Sequence, residues 1–215
     1  MLLLQEEKKS LINTLRGKGI IDERILNAIY NVPREKFIPE AFRKYAYDDN
    51  ALPIECQQTI SQPFTVAYMT LALNIQPGDK VLEVGTGSGY QTAILCELGA
   101  DVYTIERIEQ LYNSSKELLE SLGYRFHINL GDGTMGWEEC APYNKIIVTA
   151  GAPSIPPTLI DQLDMNGKMT IPVGSLEFQK LYDITKTPEK VEYKVHEAFK
   201  FVPLIGQEGW NKSLR

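Results

Sequence analysis

Four strand-forming residues, Val81-Leu82-Glu83-Val84, run straight into Gly85-Thr86-Gly87-Ser88-Gly89, and the segment from Gln91 to Leu98 suits a helix. A strand that stops, turns tightly and opens a helix leaves the helix's first N–H groups facing the gap. Glycines in such a turn let a ligand approach the backbone, because a Cβ at each would stand in its way. The turn therefore predicts a nucleoside-containing ligand at the carboxyl end of a parallel strand.

The glycine spacing narrows the ligand. A dinucleotide fingerprint reads G-x-G-x-x-G, whereas Gly85, Gly87 and Gly89 read G-x-G-x-G, with Glu83 two residues ahead. An acid-x-G-x-G-x-G run after a strand resembles the first motif of S-adenosylmethionine-dependent methyltransferases. A purely structural turn also carries glycines at such places, so residues beyond the turn must decide between the two.

At 215 residues the chain fits one structural domain. A chain of this size removes roughly 70% of its unfolded surface from water, enough for a real core. The net charge of −6, with no Lys/Arg cluster, argues against a nucleic-acid partner. Cys56, Cys96 and Cys140 are odd in number, widely spaced and form no C-x-x-C pair. That speaks against a metal site and a disulfide framework, and for a reducing, cytoplasmic setting. Three leucines before Gln5 are too few for a signal peptide, and no apolar run reaches membrane-spanning length. A soluble cytoplasmic protein with no membrane partner is expected.

Residues 1–62 read as a helical segment ending in a loop, and 63–215 as the ligand-binding core of the same domain. Leu4, Leu11, Ile12 and Leu15 share one helical face, ended by Gly17 and Gly19; a second short helix starts near Asp22 and stops before Pro33. Residues 48–59 lack periodicity and read as a loop, and Pro63 opens a helix carrying Val66, Met69 and Leu73. From Lys80 onward strands and helices alternate: strands at 80–84, 102–106, 125–130, 145–149 and 168–173, helices at 88–98, 108–122 and 157–163. Ile108, Leu111, Leu118 and Leu122 mark the buried face of the middle helix, with Gly123 at its end. This alternation predicts a doubly wound, mostly parallel α/β sheet with helices on both faces. Two runs, 178–185 and 191–199, joined by Lys186-Thr187-Pro188-Glu189-Lys190, predict an antiparallel hairpin at one side.

Two acids lie beyond the next strands. Glu106 ends the second strand, where a carboxylate can accept two hydrogen bonds from a ribose diol; a surface pair with Arg107 is the plainer alternative. Asp132, between Gly131 and Gly133, can receive an adenine amino group or be an ordinary turn residue. Together with the glycine turn they would meet at one edge of the sheet. After the fourth strand, Thr149-Ala150-Gly151 stands where amino-group methyltransferases carry an Asn/Asp-Pro-Pro-aromatic tetrad. Its absence favours an oxygen nucleophile. The two histidines, His127 and His196, lie in strand segments and read as strand residues rather than general bases. Without a positioned base, the substrate should already be anionic at neutral pH; a carboxylate, with a reference pKa near 4, satisfies this.

Further runs add to the glycine turn and its Tyr90-Gln91-Thr92. They are Val32-Pro33-Arg34, Phe37-Ile38-Pro39, Gln58-Thr59-Ile60-Ser61, Ile105-Glu106-Arg107, Gly131-Asp132-Gly133, Ile146-Ile147-Val148-Thr149 and Phe201-Val202-Pro203-Leu204. In all of these the sequence resembles the protein-L-isoaspartate O-methyltransferases, over nearly its whole length. The Thr-Ile-Ser segment is the specific part, since generic methyltransferases lack it. The resemblance implies a seven-stranded Rossmann-like methyltransferase sheet using S-adenosyl-L-methionine and releasing S-adenosyl-L-homocysteine. It also implies methylation of the free α-carboxylate of isoaspartyl residues in proteins and peptides, the first step of protein repair.

The cofactor-facing set is then Glu83, Gly85, Thr86, Gly87, Ser88, Gly89, Tyr90, Glu106, Arg107, Asp132, Gly133 and Thr149, with no metal. Thr59, Ile60, Ser61, Val202 and Leu204 match the family's substrate-facing segments. Ser61 is the choice for the catalytic position, holding the substrate carboxylate; it can equally cap the helix that begins at Pro63. Many members read Ser-Ala-Pro-His here, whereas this chain reads Ser61-Gln62-Pro63-Phe64, so a role for that histidine does not transfer. Gln57 stands where glycine is common and Asn144 where aspartate is common, both expected to matter little. Three other readings stay open: methylation of a small carboxylic acid, an adenosine-binding module without catalysis, and a nicotinamide oxidoreductase, which the glycine spacing disfavours. The sequence is silent on oligomeric state.

Overall fold

The computed structural model describes residues 2–211. Met1 and residues 212–215, at the ends of the two expected segments, lie outside the described residues. Helices α1 (Leu2–Gly17) and α2 (Glu23–Asn31) fall where the apolar spacing puts them. Asp22 caps α2 by accepting the Arg24 N–H at 2.8 Å. Val32, ahead of Pro33, has turned to extended backbone, so α2 ends there. Helix α3 (Pro63–Leu73) starts on its proline.

The region 48–59, expected as a loop, contains a small antiparallel pair: β1 (Leu52–Pro53) and β2 (Thr59–Ile60). Between them Cys56 and Gln57 both sit in the left-handed region, at φ 56° and 58°, and fold the chain back on itself. Periodicity is blind to strands of two residues.

The main sheet is built from β3 (Lys80–Val84), β4 (Asp101–Glu106), β5 (His127–Leu130), β6 (Tyr143–Val148), β7 (Leu163–Gly174), β8 (Gln179–Lys186) and β9 (Val191–Phe199). Its seven strands run in the order β5-β4-β3-β6-β7-β8-β9. The five from β3 to β7 are parallel neighbours, and β8 and β9 add antiparallel to β7, as the hairpin predicts. Strand β7 is longer than its apolar run suggests, because its register with β6 slips between Tyr143 and Lys145. The order reverses at β3, which has β4 on one side and β6 on the other. Val84 pairs with both Ile105 and Val148, so Gly85, Glu106 and Thr149 stand level just beyond the strand ends.

Alternation along the strands feeds two cores. Val81, Val102 and Ile147 face a layer made by α1, α2, α3 and α4 (Tyr90–Glu97), all in one apolar cluster. Leu82, Val84, Ile105, Ile146 and Val148 face the opposite side. There the cover is thinner than the expected helical layer: a five-residue helix α6 (Pro157–Asp161), short 3₁₀ turns and the chain around Leu204. The segment between β5 and β6 carries Gly131, Gly133, Gly136 and Pro142, which oppose a regular helix. Helix α5 (Glu109–Ser121) buries Leu111, Ser115 and Leu119; Leu118 and Leu122 are only partly covered and Ile108 lies just outside the helix.

Candidate active site

Beyond the level ends of β3, β4 and β6 opens a cavity. Its floor is the glycine turn. Gly85 adopts φ +100°, and a Cβ there would stand 2.5 Å from Thr149 Oγ1. The Thr149 hydroxyl uses that closeness, donating to the Gly85 carbonyl at 2.6 Å. Gly87 is at φ +55° with nothing of the protein near its missing side chain, so its backbone lies bare to the cavity. Thr86, Ser88 and Tyr90 also line the wall.

Glu106 is buried, 5% exposed, yet reaches the cavity. Its Oε2 accepts the Gly87 N–H at 2.8 Å; Oε1 accepts the N–H groups of Arg107 and Ile108, each at 2.9 Å. This is a clamped carboxylate, not a surface residue. A carboxylate offers about four acceptor sites. Three are filled, which leaves room for one further donor where two were expected. Arg107 and Ile108 complete this side, with Val84, Ile105 and Gly133 behind. Gly133 fits tightly: a Cβ there would come within 2.5 Å of Val84 Cγ1. Apolar walls, a bare glycine backbone and one buried carboxylate suit a nucleoside.

The opposite wall is the strand–helix junction Thr59-Ile60-Ser61, facing Val202-Pro203-Leu204. Ser61 does not cap α3. The cap position belongs to Gln62, whose side chain makes no capping bond. Asp49 supplies the missing acceptor instead: its Oδ1 takes the Phe64 N–H at 2.8 Å and its Oδ2 the Lys18 ammonium at 2.6 Å. Gln62 Nε2 donates to the Asp49 carbonyl at 2.9 Å. The junction is thus tied on both sides of Pro63, and the Ser61 hydroxyl makes no hydrogen bond among the described residues. Asp49 carries no signal in the sequence; Gln58, Ile108 and Ala150, noted there only in runs or on a helix face, and Ile205 also reach the cavity wall.

Three expected cofactor residues lie off that wall. Glu83 is fully buried and receives the Thr92 hydroxyl of α4 at 2.5 Å; burial pushes its carboxyl up to about 8, so it is protonated at neutral pH. Gly89 packs against Leu119. Asp132 behaves as a turn residue: Oδ1 accepts the N–H and hydroxyl of Thr134 at 2.9 and 2.7 Å. Its Oδ2 accepts the Gln207 N–H at 2.7 Å, pinning the C-terminal segment to the sheet edge.

Behind Tyr90 stands Arg34, fully buried, with its guanidinium 4.8 Å from the ring centroid. Arg34 Nε and Nη2 donate to the carbonyls of Ala46 and Asn50 at 2.9 and 3.2 Å, joining the stretch that holds Asp49 to the glycine turn. Among the described residues no histidine borders the cavity. His127 stacks on Tyr103, and His196 is bonded to Tyr68 and Asp183.

The sequence profile described as protein-L-isoaspartate(D-aspartate) O-methyltransferase (PCMT) matches residues 6–209. A protein-L-isoaspartate O-methyltransferase of Dictyoglomus thermophilum is 48% identical over 207 residues, 96% of this chain and 94% of its own length. One from Chlorobaculum tepidum is 49% identical over 208 residues, 96% and 98% of the two chains. Among solved structures, a Plasmodium falciparum protein-L-isoaspartate O-methyltransferase in complex with S-adenosyl-L-homocysteine superposes with a TM-score of 0.81 at 30% identity, covering 92% of this chain and 97% of that one. Another structure of that name gives a TM-score of 0.86 at 27% identity, covering 94% and 67%. Near-complete coverage in both directions joins the cavity, the glycine turn and the Thr59-Ile60-Ser61 junction in one conclusion: the chain belongs to the protein-L-isoaspartate (D-aspartate) O-methyltransferase family.

Proposed function

We propose that the chain transfers a methyl group from S-adenosyl-L-methionine to the free α-carboxylate of isoaspartyl residues in damaged proteins, releasing S-adenosyl-L-homocysteine. The observation that carries this reading is the shared cavity, with the Glu106–glycine-turn clamp on one wall and the unbonded Ser61 hydroxyl on the other. When bound, the cofactor supplies a methyl on a positively charged sulfur. Glu106 would hold a ribose hydroxyl, Ile108 and Gly133 would line the base side, and Gly85 and Gly87 would let the backbone approach. Glu83 and Asp132 act as supports, one steadying α4 and the other the C-terminal segment.

Ser61 would donate its hydroxyl to the substrate carboxylate and so hold it within the cavity. The bound cofactor would supply the methyl to a carboxylate oxygen, its C–S pair staying on sulfur, and both formal charges would be lost. Ile60, Val66, Val202 and Leu204 give the cavity an apolar wall, and an apolar surrounding favours such charge neutralisation. Alignment of the partners contributes roughly 7–11 kcal/mol of barrier reduction. A carboxylate needs no general base, in keeping with a cavity that no histidine borders. The cytoplasm is the setting this reading assumes, supported by an odd number of widely spaced cysteines; among the described residues no helix is long and apolar enough to cross a membrane.

The test is a methyl-transfer assay with labelled cofactor, an isoaspartyl peptide and its aspartyl twin. Base-labile label on the isoaspartyl peptide alone is expected. Equal labelling of both, or label only on small carboxylic acids, would contradict the assignment.

A further inference from the structure

A second depression begins where the first ends. Thr59, Ser61, Thr149 and Val202 line both, so the Ser61 junction is a shared wall rather than a dead end. Beyond it the surface changes character. Phe64, Phe199 and Phe201 form an aromatic side, linked through Tyr68: ring centroids are 5.8 Å apart for Phe64–Tyr68, 5.6 Å for Tyr68–Phe199 and 6.3 Å for Phe199–Phe201. The Lys18 ammonium sits 5.3 Å from the Phe64 centroid, on the same Asp49 tie that fixes the junction. Phe64 and Phe199 pack against the core yet stay only partly buried.

We infer that this aromatic groove seats an apolar side chain of the substrate polypeptide, within two residues of the isoaspartyl residue, and so gives the enzyme a sequence preference around the damaged site. The inference rests on the proposed isoaspartyl methylation. Its occupant is fixed by continuity. A chain whose carboxylate is held at Ser61 must leave the first cavity, and the wall shared by the two cavities leads past Phe64 and Phe199. The rings offer apolar area, while Glu197 and Lys200 on the same depression supply charge at its rim, so the ring contact itself selects on apolar area. Phe64, at the edge of the shared wall, becomes a specificity-determining residue.

The experiment compares kcat/KM for isoaspartyl peptides carrying leucine or phenylalanine, against glycine, at each of the two positions on either side of the isoaspartyl residue. On one flank the apolar peptide should be preferred about tenfold, the change expected for about 1.4 kcal/mol from partial burial of one side chain, read mainly in KM. In Phe64→Ala the ratio should fall to about one, and Phe64→Leu should restore part of it. Affinity for S-adenosyl-L-homocysteine, measured on each variant, shows that the first cavity is intact. A wild-type enzyme that methylates all the isoaspartyl peptides without preference overturns the groove alone. The same holds if Phe64→Ala slows apolar and glycine peptides equally. Methylation of none of them overturns the parent reading and this one with it.

Discussion

Replacing Glu106 by glutamine keeps the shape of the side chain and removes its charge. In the native clamp three backbone N–H groups, from Gly87, Arg107 and Ile108, converge on the two carboxylate oxygens. An amide has one acceptor oxygen, so its NH₂ must turn toward either the Gly87 N–H or the Arg107–Ile108 pair, donor against donor. The ribose then loses its one free acceptor site on a charged group, worth about 1.5–3 kcal/mol. That corresponds to a rise in Kd for S-adenosyl-L-homocysteine of roughly ten- to hundredfold. The disrupted clamp should also cost about 1–3 kcal/mol of stability for the buried donor left unpaired. Isothermal titration with S-adenosyl-L-homocysteine reads the first effect and urea unfolding the second. A Kd within twofold of wild type, with the fold intact, would refute the assignment of Glu106 to the ribose.

The same geometry fixes three further outcomes. Ser61→Ala should lower kcat by about ten- to hundredfold, the loss of one hydrogen bond to an anionic oxygen, while S-adenosyl-L-homocysteine affinity stays within twofold; equal losses in both would count against its role. Glu83 has a folded pKa raised from 4.5 to about 8, so the folded state holds a proton that the unfolded state has released between those values. Wild-type stability to urea should fall as pH rises from about 4.5 to 8 and flatten above, and Glu83→Gln should remove most of that slope; an unchanged slope would contradict a buried, protonated Glu83. Gln57, at φ 58°, should gain about 0.5–1 kcal/mol on replacement by glycine, since release from left-handed strain exceeds the entropy cost; calorimetry showing a lower Tm would disprove it.

Where a feature is local, it is legible in the sequence. The strand, the three glycines and the helix after them need only neighbouring residues, and Glu106 can be placed because it ends a strand level with that turn. Glu83 lies just as close in sequence, but one residue decides the face of a strand. That parity sends its side chain into the α4 layer beside Thr92 rather than into the cavity. Asp132 has a partner the sequence does not show: Gln207, which donates to its second oxygen, lies 75 residues away, and nothing near Gly131-Asp132-Gly133 announces it. Asp49 is hidden in the same way, because its partners at Lys18, Gln62 and Phe64 meet only in the folded chain. Asn144, expected to be of little consequence, donates to Asp164 at 3.3 Å and accepts the Lys80 N–H at 2.9 Å. An aspartate there would instead face another carboxylate.

The most direct measurement is a crystal structure with S-adenosyl-L-homocysteine and an isoaspartyl peptide bound together. The ribose should lie on Glu106, the homocysteine sulfur should face the Ser61 side of the cavity, and the peptide's α-carboxylate should accept the Ser61 hydroxyl. A nucleoside lodged outside the space between the glycine turn and Ile108, or a carboxylate bound away from Ser61, would contradict the account.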